Sequence, residues 1–498
     1  MKSGLINRIS ILLLLTIAFS NCSEPEEGDK SQAPNLLIIY PDQMRGQAMG
    51  FLGDEPVLTP NLDRFAGESL VLTEAVANFP ICSPSRAMLM TGKYPHANGV
   101  LHNCNTLSEP FGHELKESAV CWSDILSDKG YDLGYIGKWH LDNPREPYVD
   151  TENNKGTIKW NEWTPSHKRH GFNFWYAYGT YDHHMRPMYW KTDAGREAFH
   201  FVDQWGPEHE ADVAIDYIKN KSQERDPSKP FALMVSINPP HSPYAAVPEK
   251  YKKPYETIPM DSLTKRLNIP EKGTQWGDFY RNNIKDYYAM ITGVDEQFGR
   301  ILKALKEEGL DKNTIVVFTS DHGNCLGIQN IGSKDYHYEE SMTVPFIIRW
   351  PEKIKGGTDD LLISTPDIYP TLMELMGFKE SIPEDIMGTS YASNFLTGEG
   401  PRPTSQLYMY VYPGEPDVGR RGIRTDHYTL MINYRPNEGN AWWQQNQADS
   451  IELFNNYEDP YQLTNIAGTQ PALEKKLSEE LKQWLQKTRD PWIKHFPD

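Results

Sequence analysis

Asn35-Leu36-Leu37-Ile38-Ile39-Tyr40-Pro41-Asp42-Gln43 decides how the rest of the chain is read. After Asn35 the run carries no polar interruption until Pro41, and Pro34 bounds it on the other side. A strand with one wet face alternates apolar and polar residues. An unbroken apolar run between prolines is what a parallel strand covered on both faces requires. Runs of the same kind recur at 133–137, 231–237, 314–319 and 344–350. Helical patterns lie between them at 122–129, 208–219 and 284–308. The last places Tyr287, Ile291, Val294, Phe298, Ile301, Leu302 and Leu305 on one face. This alternation predicts an α/β fold with a large, mainly parallel sheet flanked by helices.

Beyond about residue 380 the pattern changes. Short alternating segments at 407–412, 428–434 and 451–454 predict antiparallel strands. The segment 471–487, with Leu473, Leu477, Leu481, Trp484 and Leu485 on one face, predicts a closing helix. The layout expected is a signal segment (1–21), a tether (22–33), a catalytic domain (34–380) with an aromatic-rich insertion (156–206), and a smaller α+β subdomain (381–498).

Composition narrows the function. The 498 residues carry a net charge of −18, which excludes a nucleic-acid binder, since that needs a basic face to release counterions. The same balance argues against long-range steering of polyanions but not against a short anionic sugar in a locally cationic pocket. Thirteen Trp and 27 Tyr exclude global disorder. The five cysteines (Cys22, Cys82, Cys104, Cys121 and Cys325) are too few for a disulfide scaffold. Whether Cys104 and Cys121 are bridged is left to geometry.

At the N-terminus, Lys2 and Arg8 precede an 11-residue apolar run at 9–19, too short to span a bilayer, which takes about 20 residues. A basic start and a short apolar core read as a secretory signal. Cys22 stands where a lipoprotein signal peptidase cleaves, and an acidic tether follows it. A Cys followed by Ser and acidic residues resembles the surface-export signal of lipoproteins in Gram-negative polysaccharide degraders. The expectation is a lipid anchor at Cys22, with the membrane touched through that anchor only, at the outer membrane facing periplasm or cell surface. The alternative is an ordinary signal peptide with an incidental cysteine.

The most specific chemical signal is Cys82-Ser83-Pro84-Ser85-Arg86, followed by Thr91-Gly92. Alone, Cys82 reads as a turn thiol. With the whole pattern the chain resembles the type I sulfatase family, of alkaline-phosphatase-like fold, from residue 35 to the C-terminal helix. The resemblance implies that Cys82 is oxidised to formylglycine by a formylglycine-generating or radical maturation enzyme. A thiol would leave a stable S-sulfo adduct, whereas a geminal diol can attack with one hydroxyl and expel sulfate through the other. Tyr40-Pro41-Asp42-Gln43 and Phe318-Thr319-Ser320-Asp321-His322-Gly323 each end an apolar run, where open α/β sheets bind ligands. Individually Asp42 reads as a helix cap and Asp321 as a turn former. Together with Cys82, the resemblance makes Asp42, Gln43, Asp321 and His322 the lining of a divalent cation, calcium with magnesium as alternative. Gln43 stands where a second Asp is commoner, and His322 is a softer donor than calcium prefers.

Gly137-Lys138-Trp139-His140 matches a second family signature, and Asn238-Pro239-Pro240-His241-Ser242-Pro243 resembles its Pro-His-x-Pro loop. Lys334, with Tyr338-Glu339 beyond it, resembles the active-site lysine segment. The roles implied are charge neutralisation by Arg86, Lys138 and Lys334, and proton acceptance by Asp321. His241 with Lys334 protonates the leaving sugar oxygen, and His140 deprotonates the second hydroxyl. A sulfated oligo- or polysaccharide, an algal fragment or a glycosaminoglycan, is the expected substrate. Two regions are candidates for holding it. The first is the aromatic stretch 156–206 with its interleaved cations, including His183 and His184, which reads equally as a packed cap on the sheet. The second is Arg420-Arg421 with Arg424, which reads equally as a solvated turn. The rival readings are a phosphomonoester or phosphonate hydrolase of the same superfamily and a non-catalytic glycan-binding lipoprotein.

Overall fold

The apolar runs lie side by side, as strands that need cover on both faces do. In the computed structural model, which describes residues 33–434 and 450–496, ten strands form one sheet. They are β1 (Asn35–Ile39), β2 (Leu70–Leu72), β3 (Asp132–Lys138), β4 (Phe174–Tyr178), β5 (Met188–Lys191), β6 (His200–Phe201), β7 (Phe231–Ser236), β8 (Thr314–Thr319), β9 (Phe346–Arg349) and β10 (Gly357–Asp359). Their order is β10-β2-β9-β8-β1-β7-β3-β4-β5-β6. The central five, β8-β1-β7-β3-β4, are mutually parallel. Antiparallel strands border them on both sides: β9 pairs antiparallel with β8 and β2, β5 with β4 and β6. The run at 344–350 is therefore a strand, but it runs against its neighbour.

One face of the sheet is covered by the helices Gly206–Lys219 and Gln275–Glu307, whose apolar residues join Leu37, Ile39, Leu233, Val235, Val316 and Phe318 in one core. The long helix begins nine residues before the periodic pattern, because Thr274 accepts a hydrogen bond from the Gly277 amide and caps its first turn. No described helix is long and apolar enough to cross a membrane.

The aromatic stretch extends the sheet through β4, β5 and β6. Trp175, Trp190 and Trp205 are buried, as are Tyr176, Tyr178 and Tyr181. The cations between them are taken up locally: Lys168 pairs with Asp142, Arg169 stacks on Trp175 at 5.1 Å, His170 meets Asp124 at 3.1 Å and Arg186 pairs with Asp203 at 2.9 Å. These rings hold the fold together and are not open to a sugar.

The second sheet is antiparallel, in the order β11 (Ser405–Tyr412), β12 (Glu415–Thr425), β13 (Tyr428–Tyr434), β14 (Ser450–Asn455). The helix Pro471–Thr488 packs on it through Leu477, Leu481 and Leu485. Phe79, Ile81 and Met88, which flank or belong to the helix Cys82–Thr91, share that core with Leu407, Met409 and Ile423, so the chain from Pro34 onward is one compact unit. The signal segment, Cys22 and the tether through residue 32 lie outside the described residues. Cys104 and Cys121 are both free: the Cys104 thiol donates to the His113 carbonyl at 3.2 Å and Cys121 caps the helix Trp122–Asp128.

Candidate active site

Four adjacent parallel strands, β8, β1, β7 and β3, all point their carboxyl ends the same way, so the residues just past each end must meet. Asp42 and Gln43 follow β1, Lys138 ends β3 with His140 beyond it, Asn238 and His241 follow β7, and Asp321 and His322 follow β8. Gly137 has φ +94°, and a Cβ there would meet the Ser236 carbonyl oxygen at 2.1 Å, so only glycine lets β3 turn Lys138 inward this close to β7. Gln43 and His140 hold φ of 68° and 54°, a strained backbone of the kind that concentrates at functional sites.

Cys82 is the first residue of its helix and only 2% exposed. Amides at a helix start favour an anion there. Its Sγ, which stands where the oxygens of a matured residue 82 would lie, is 2.9 Å from Lys334 Nζ, 3.5 Å from His322 Nε2, 3.8 Å from Asp42 Oδ1 and 4.0 Å from Lys138 Nζ. Burial pushes the thiol's pKa up, but the charges of Lys138 and Lys334 hold it well below the ordinary cysteine value. Arg86, one turn along, bridges the two carboxylates, reaching Asp42 Oδ2 and Asp321 Oδ2 at 3.0 Å each, and donates to the Lys138 carbonyl and Ser236 Oγ. Lys138 Nζ sits 2.8 Å from Asp42 Oδ2. Burial and the Cys82 thiolate raise the Asp42 pKa, and Lys138, His241 and Arg86 outweigh them, keeping it well below the usual carboxylate range. Asp321 is raised by burial and by the charge on Asp42.

A metal fits this arrangement. Asp42, Cys82, Asp321 and His322 place one ligand atom each within 4.8 Å of one another. His322 Nδ1 lies 2.9 Å from the Gly323 carbonyl, which only accepts, so that nitrogen carries the proton and the Nε2 lone pair faces the site. Nε2 is 3.7 Å from Asp42 Oδ1 and 3.6 Å from Asp321 Oδ1. Donors on one ion with bonds of about 2.4 Å sit about 3.4 Å apart, close to these separations. Gln43 Oε1, 3.4 Å from Lys334 Nζ, adds a neutral oxygen.

The remaining histidines are sorted by the same carbonyl test. His140 Nε2 donates to the Cys104 carbonyl at 3.2 Å, which leaves the buried Nδ1 lone pair without another partner. Burial holds this imidazole below its usual pKa, in the neutral form a base requires. His241 Nδ1 donates to the Ser242 carbonyl at 2.8 Å and lies 3.5 Å from Asp182 Oδ1. Asp182 was not singled out in the sequence, and Asn238 opens the Pro-His-x-Pro segment without a role of its own there. Asn238 accepts from Lys138 Nζ at 3.1 Å and donates to Asp182 Oδ1 at 3.1 Å, tying the cation to the carboxylate beside His241. Although burial raises the Asp182 pKa, His241 and Lys138 bring it down to about 2, so its charge is fixed.

Three candidate substrate residues fall elsewhere. His184 is buried and donates from Nε2 to the His241 carbonyl at 2.9 Å; burial lowers its pKa to about 4, so it anchors the loop as a neutral ring and does not face a substrate. His183 is exposed and stacks on Tyr181. Arg420 and Arg421 lie in β12, a strand and not a turn, so they point to opposite faces. Arg421 is buried beneath the closing helix, where it grips Asp490 with Nε at 2.6 Å and Nη2 at 3.1 Å, and is unavailable to a ligand. Arg424 is engaged by Glu339 and Glu74.

Comparison with known proteins agrees with this geometry. A family model described as "Sulfatase" matches residues 34–378, and one described as "N-sulphoglucosamine sulphohydrolase, C-terminal" matches 331–490. The chain is 39% identical to an endo-4-O-sulfatase of Bacteroides thetaiotaomicron, covering 96% of this chain and 97% of that one. It is 32% identical to an ulvan-active sulfatase of Formosa agariphila, covering 98% and 89%. A crystal structure of a Bacteroides fragilis sulfatase superposes with a TM-score of 0.89 at 47% identity, covering 96% of this chain and all of that one. The chain belongs to the sulfatase family, the hydrolases of sulfuric esters.

Proposed function

We propose that the protein is a lipid-anchored, calcium-dependent sulfatase that removes sulfate from a sulfated oligosaccharide through a formylglycine at position 82. The observation that carries this is the position of residue 82. It starts a helix, within reach of Lys138, Lys334, His140 and His322 and of two carboxylates that Arg86 joins. Once matured, residue 82 would supply a geminal diol, whose chemistry would be attack on sulfur by one hydroxyl and expulsion of sulfate through the other, with return of the aldehyde. Arg86, Lys138 and Lys334 counter the charge that grows on the sulfuryl oxygens. Asp321 takes the proton of the attacking hydroxyl. His241, oriented by Asp182 and the Ser242 carbonyl, gives a proton to the departing sugar oxygen, a poor leaving group. His140 presents the Nδ1 lone pair for the second hydroxyl proton. Asp42, Gln43, Asp321 and His322 would hold the cation, which supplies a fixed positive charge for the sulfate.

The names of the two relatives support a sulfated glycan as substrate, and the signal segment with Cys22 supports export and anchoring at the outer membrane. Parallel assays on sulfated oligosaccharides and on phosphate or phosphonate monoesters test the reading. Sulfate release that stops on chelation and returns with calcium more fully than with magnesium is expected. Preferential turnover of phosphorus esters would replace it with the rival hydrolase.

A further inference from the structure

Arg420 is a buried cation that the mechanism leaves unused. In β12 it stands directly opposite Tyr410 of β11, on the same face of the sheet as Arg424, the face opposite Arg421. Its guanidinium is sandwiched between the rings of Tyr336, at 4.3 Å, and Tyr410, at 4.4 Å, and the residue is 5% exposed. Arg424 and Arg421 each have a carboxylate; Arg420 has none within ion-pair distance among the described residues. Its Nε is buried without an acceptor. The tyrosine faces attract the charge but accept none of the in-plane N–H groups, and a buried arginine with an open fork is normally paired.

The contacts around Arg420 lead back to Cys82 by two routes. Tyr336 is two residues beyond Lys334, whose Nζ touches the Cys82 thiol at 2.9 Å, and Tyr408 Oη donates to the Asp335 carbonyl at 2.9 Å. On the other side Tyr410 packs edge-on against His102, and the neighbouring Asn103 accepts from the amide of Ser83. Asp335 lies between Lys334 and Tyr336 with φ +83° and a buried Oδ1 that has no hydrogen-bond partner. An unmet donor fork and an unmet acceptor thus lie beside the lysine that touches Cys82.

We propose that Arg420 and Asp335 form a second anion subsite that reads the sugar next to the one being desulfated. The guanidinium takes an oxyanion carried by that neighbour, a carboxylate or a further sulfate, and Asp335 accepts from an adjacent hydroxyl. Such a subsite deepens, and rests on, the sulfatase reading. It selects uronate-containing or multiply sulfated chains over neutral ones carrying a single sulfate.

Three probes test it by calorimetric binding to the Cys82→Ala protein, which cannot turn them over: a sulfated hexosamine–uronate oligosaccharide, its carboxyl-reduced form, and the reduced form with a sulfate on the neighbouring sugar. Loss of one charge-assisted fork corresponds to about 10- to 100-fold in Kd. The carboxyl-reduced probe is expected to bind that much more weakly than one or both anionic probes. Whichever of those two binds tightly identifies the anion. Adding Arg420→Gln should erase the difference, and Asp335→Asn should weaken all three. Equal binding of the three probes by the Arg420 form, a comparison that needs no folded Arg420 variant, would overturn the subsite, as would discrimination that survives Arg420→Gln. Sulfate release by the wild type is scored separately, so failure of the sulfatase reading and failure of the subsite are distinct results.

Discussion

Two regions of the chain are built from the same kinds of residue and use them oppositely. At the carboxyl ends of β8, β1, β7 and β3, cations, carboxylates and imidazoles are buried against one another around Cys82, with backbone strain at Gln43 and His140. In the extension formed by β4, β5 and β6, the rings of Trp175, Tyr176, Tyr178, Tyr189 and Trp190 are buried and the cations are neutralised nearby or stacked, with no shared centre. The first arrangement leaves lone pairs and charges directed at one point; the second satisfies them where they stand. A residue's availability, and not its type, separates a site from a scaffold.

If that contrast holds, substitutions in the two regions fail in different ways. The largest effect belongs to Cys82→Ala, expected to lower sulfate release by at least about 10⁴-fold while the melting temperature stays within a few degrees of wild type; unfolding on this change would put Cys82 with the scaffold. Trp205 directly precedes the helix Gly206–Lys219, is buried, and donates from Nε1 to the Ala246 carbonyl at 3.1 Å. Trp205→Ala should cost about 3–5 kcal/mol of stability in denaturant unfolding, with turnover per folded molecule unchanged. A change in kcat without loss of stability would break the comparison from the other side.

His241→Ala sharpens the division within the site. It is expected to slow desulfation of a sugar about 10²- to 10³-fold, and to slow an aryl sulfate with a good leaving group much less, because only the sugar oxygen needs a proton on departure. Equal losses on both substrates would mean that His241 binds sulfate and is not the acid.

The smallest effect is a pH slope from the scaffold. Glu210 is buried, and although Tyr178 and Tyr189 donate to its Oε1, burial raises its pKa from 4.5 to about 8. Folded protein therefore holds this proton between those values while unfolded protein releases it. The group's contribution is fully present below pH 4.5 and is lost as pH rises towards 8. Glu210→Gln should remove roughly 2–3 kcal/mol of that decline, read as denaturant midpoints at pH 5.5 and 8. An unchanged slope would show that another group carries it.

Much of this division was legible in the sequence, for identifiable reasons. The central strands announced themselves because parallel strands covered on both faces are apolar throughout, and 314–319 matches β8 to the residue. Direction is not encoded in such a run, so β9 reads like its parallel neighbours. β12 escaped notice because its buried positions hold arginines and glycines whose partners lie far along the chain: Asp490 for Arg421, Glu339 and Glu74 for Arg424. Gly422 looks like a turn residue, yet it is needed because a Cβ would meet the Leu430 carbonyl oxygen at 2.2 Å. The catalytic candidates stand in contiguous motifs and could be named. Asp182 and Asp335 are single polar residues with no local pattern, and only their spatial partners mark them; Asn238 opens the Pro-His-x-Pro segment, but its role too is marked only by its partners. For the same reason His184 and Arg421 resembled ligand residues until their partners were seen.

The central claim is that residue 82, once matured, breaks sulfate esters at this site. Its most direct test is a mass measurement of the peptide containing Cys82, from protein made alongside a formylglycine-forming enzyme, with sulfate release measured on the same sample. The account expects the thiol sulfur to be replaced by an aldehyde oxygen, with sulfate release proportional to the fraction converted. Full sulfate release from protein whose Cys82 remains a thiol would contradict it.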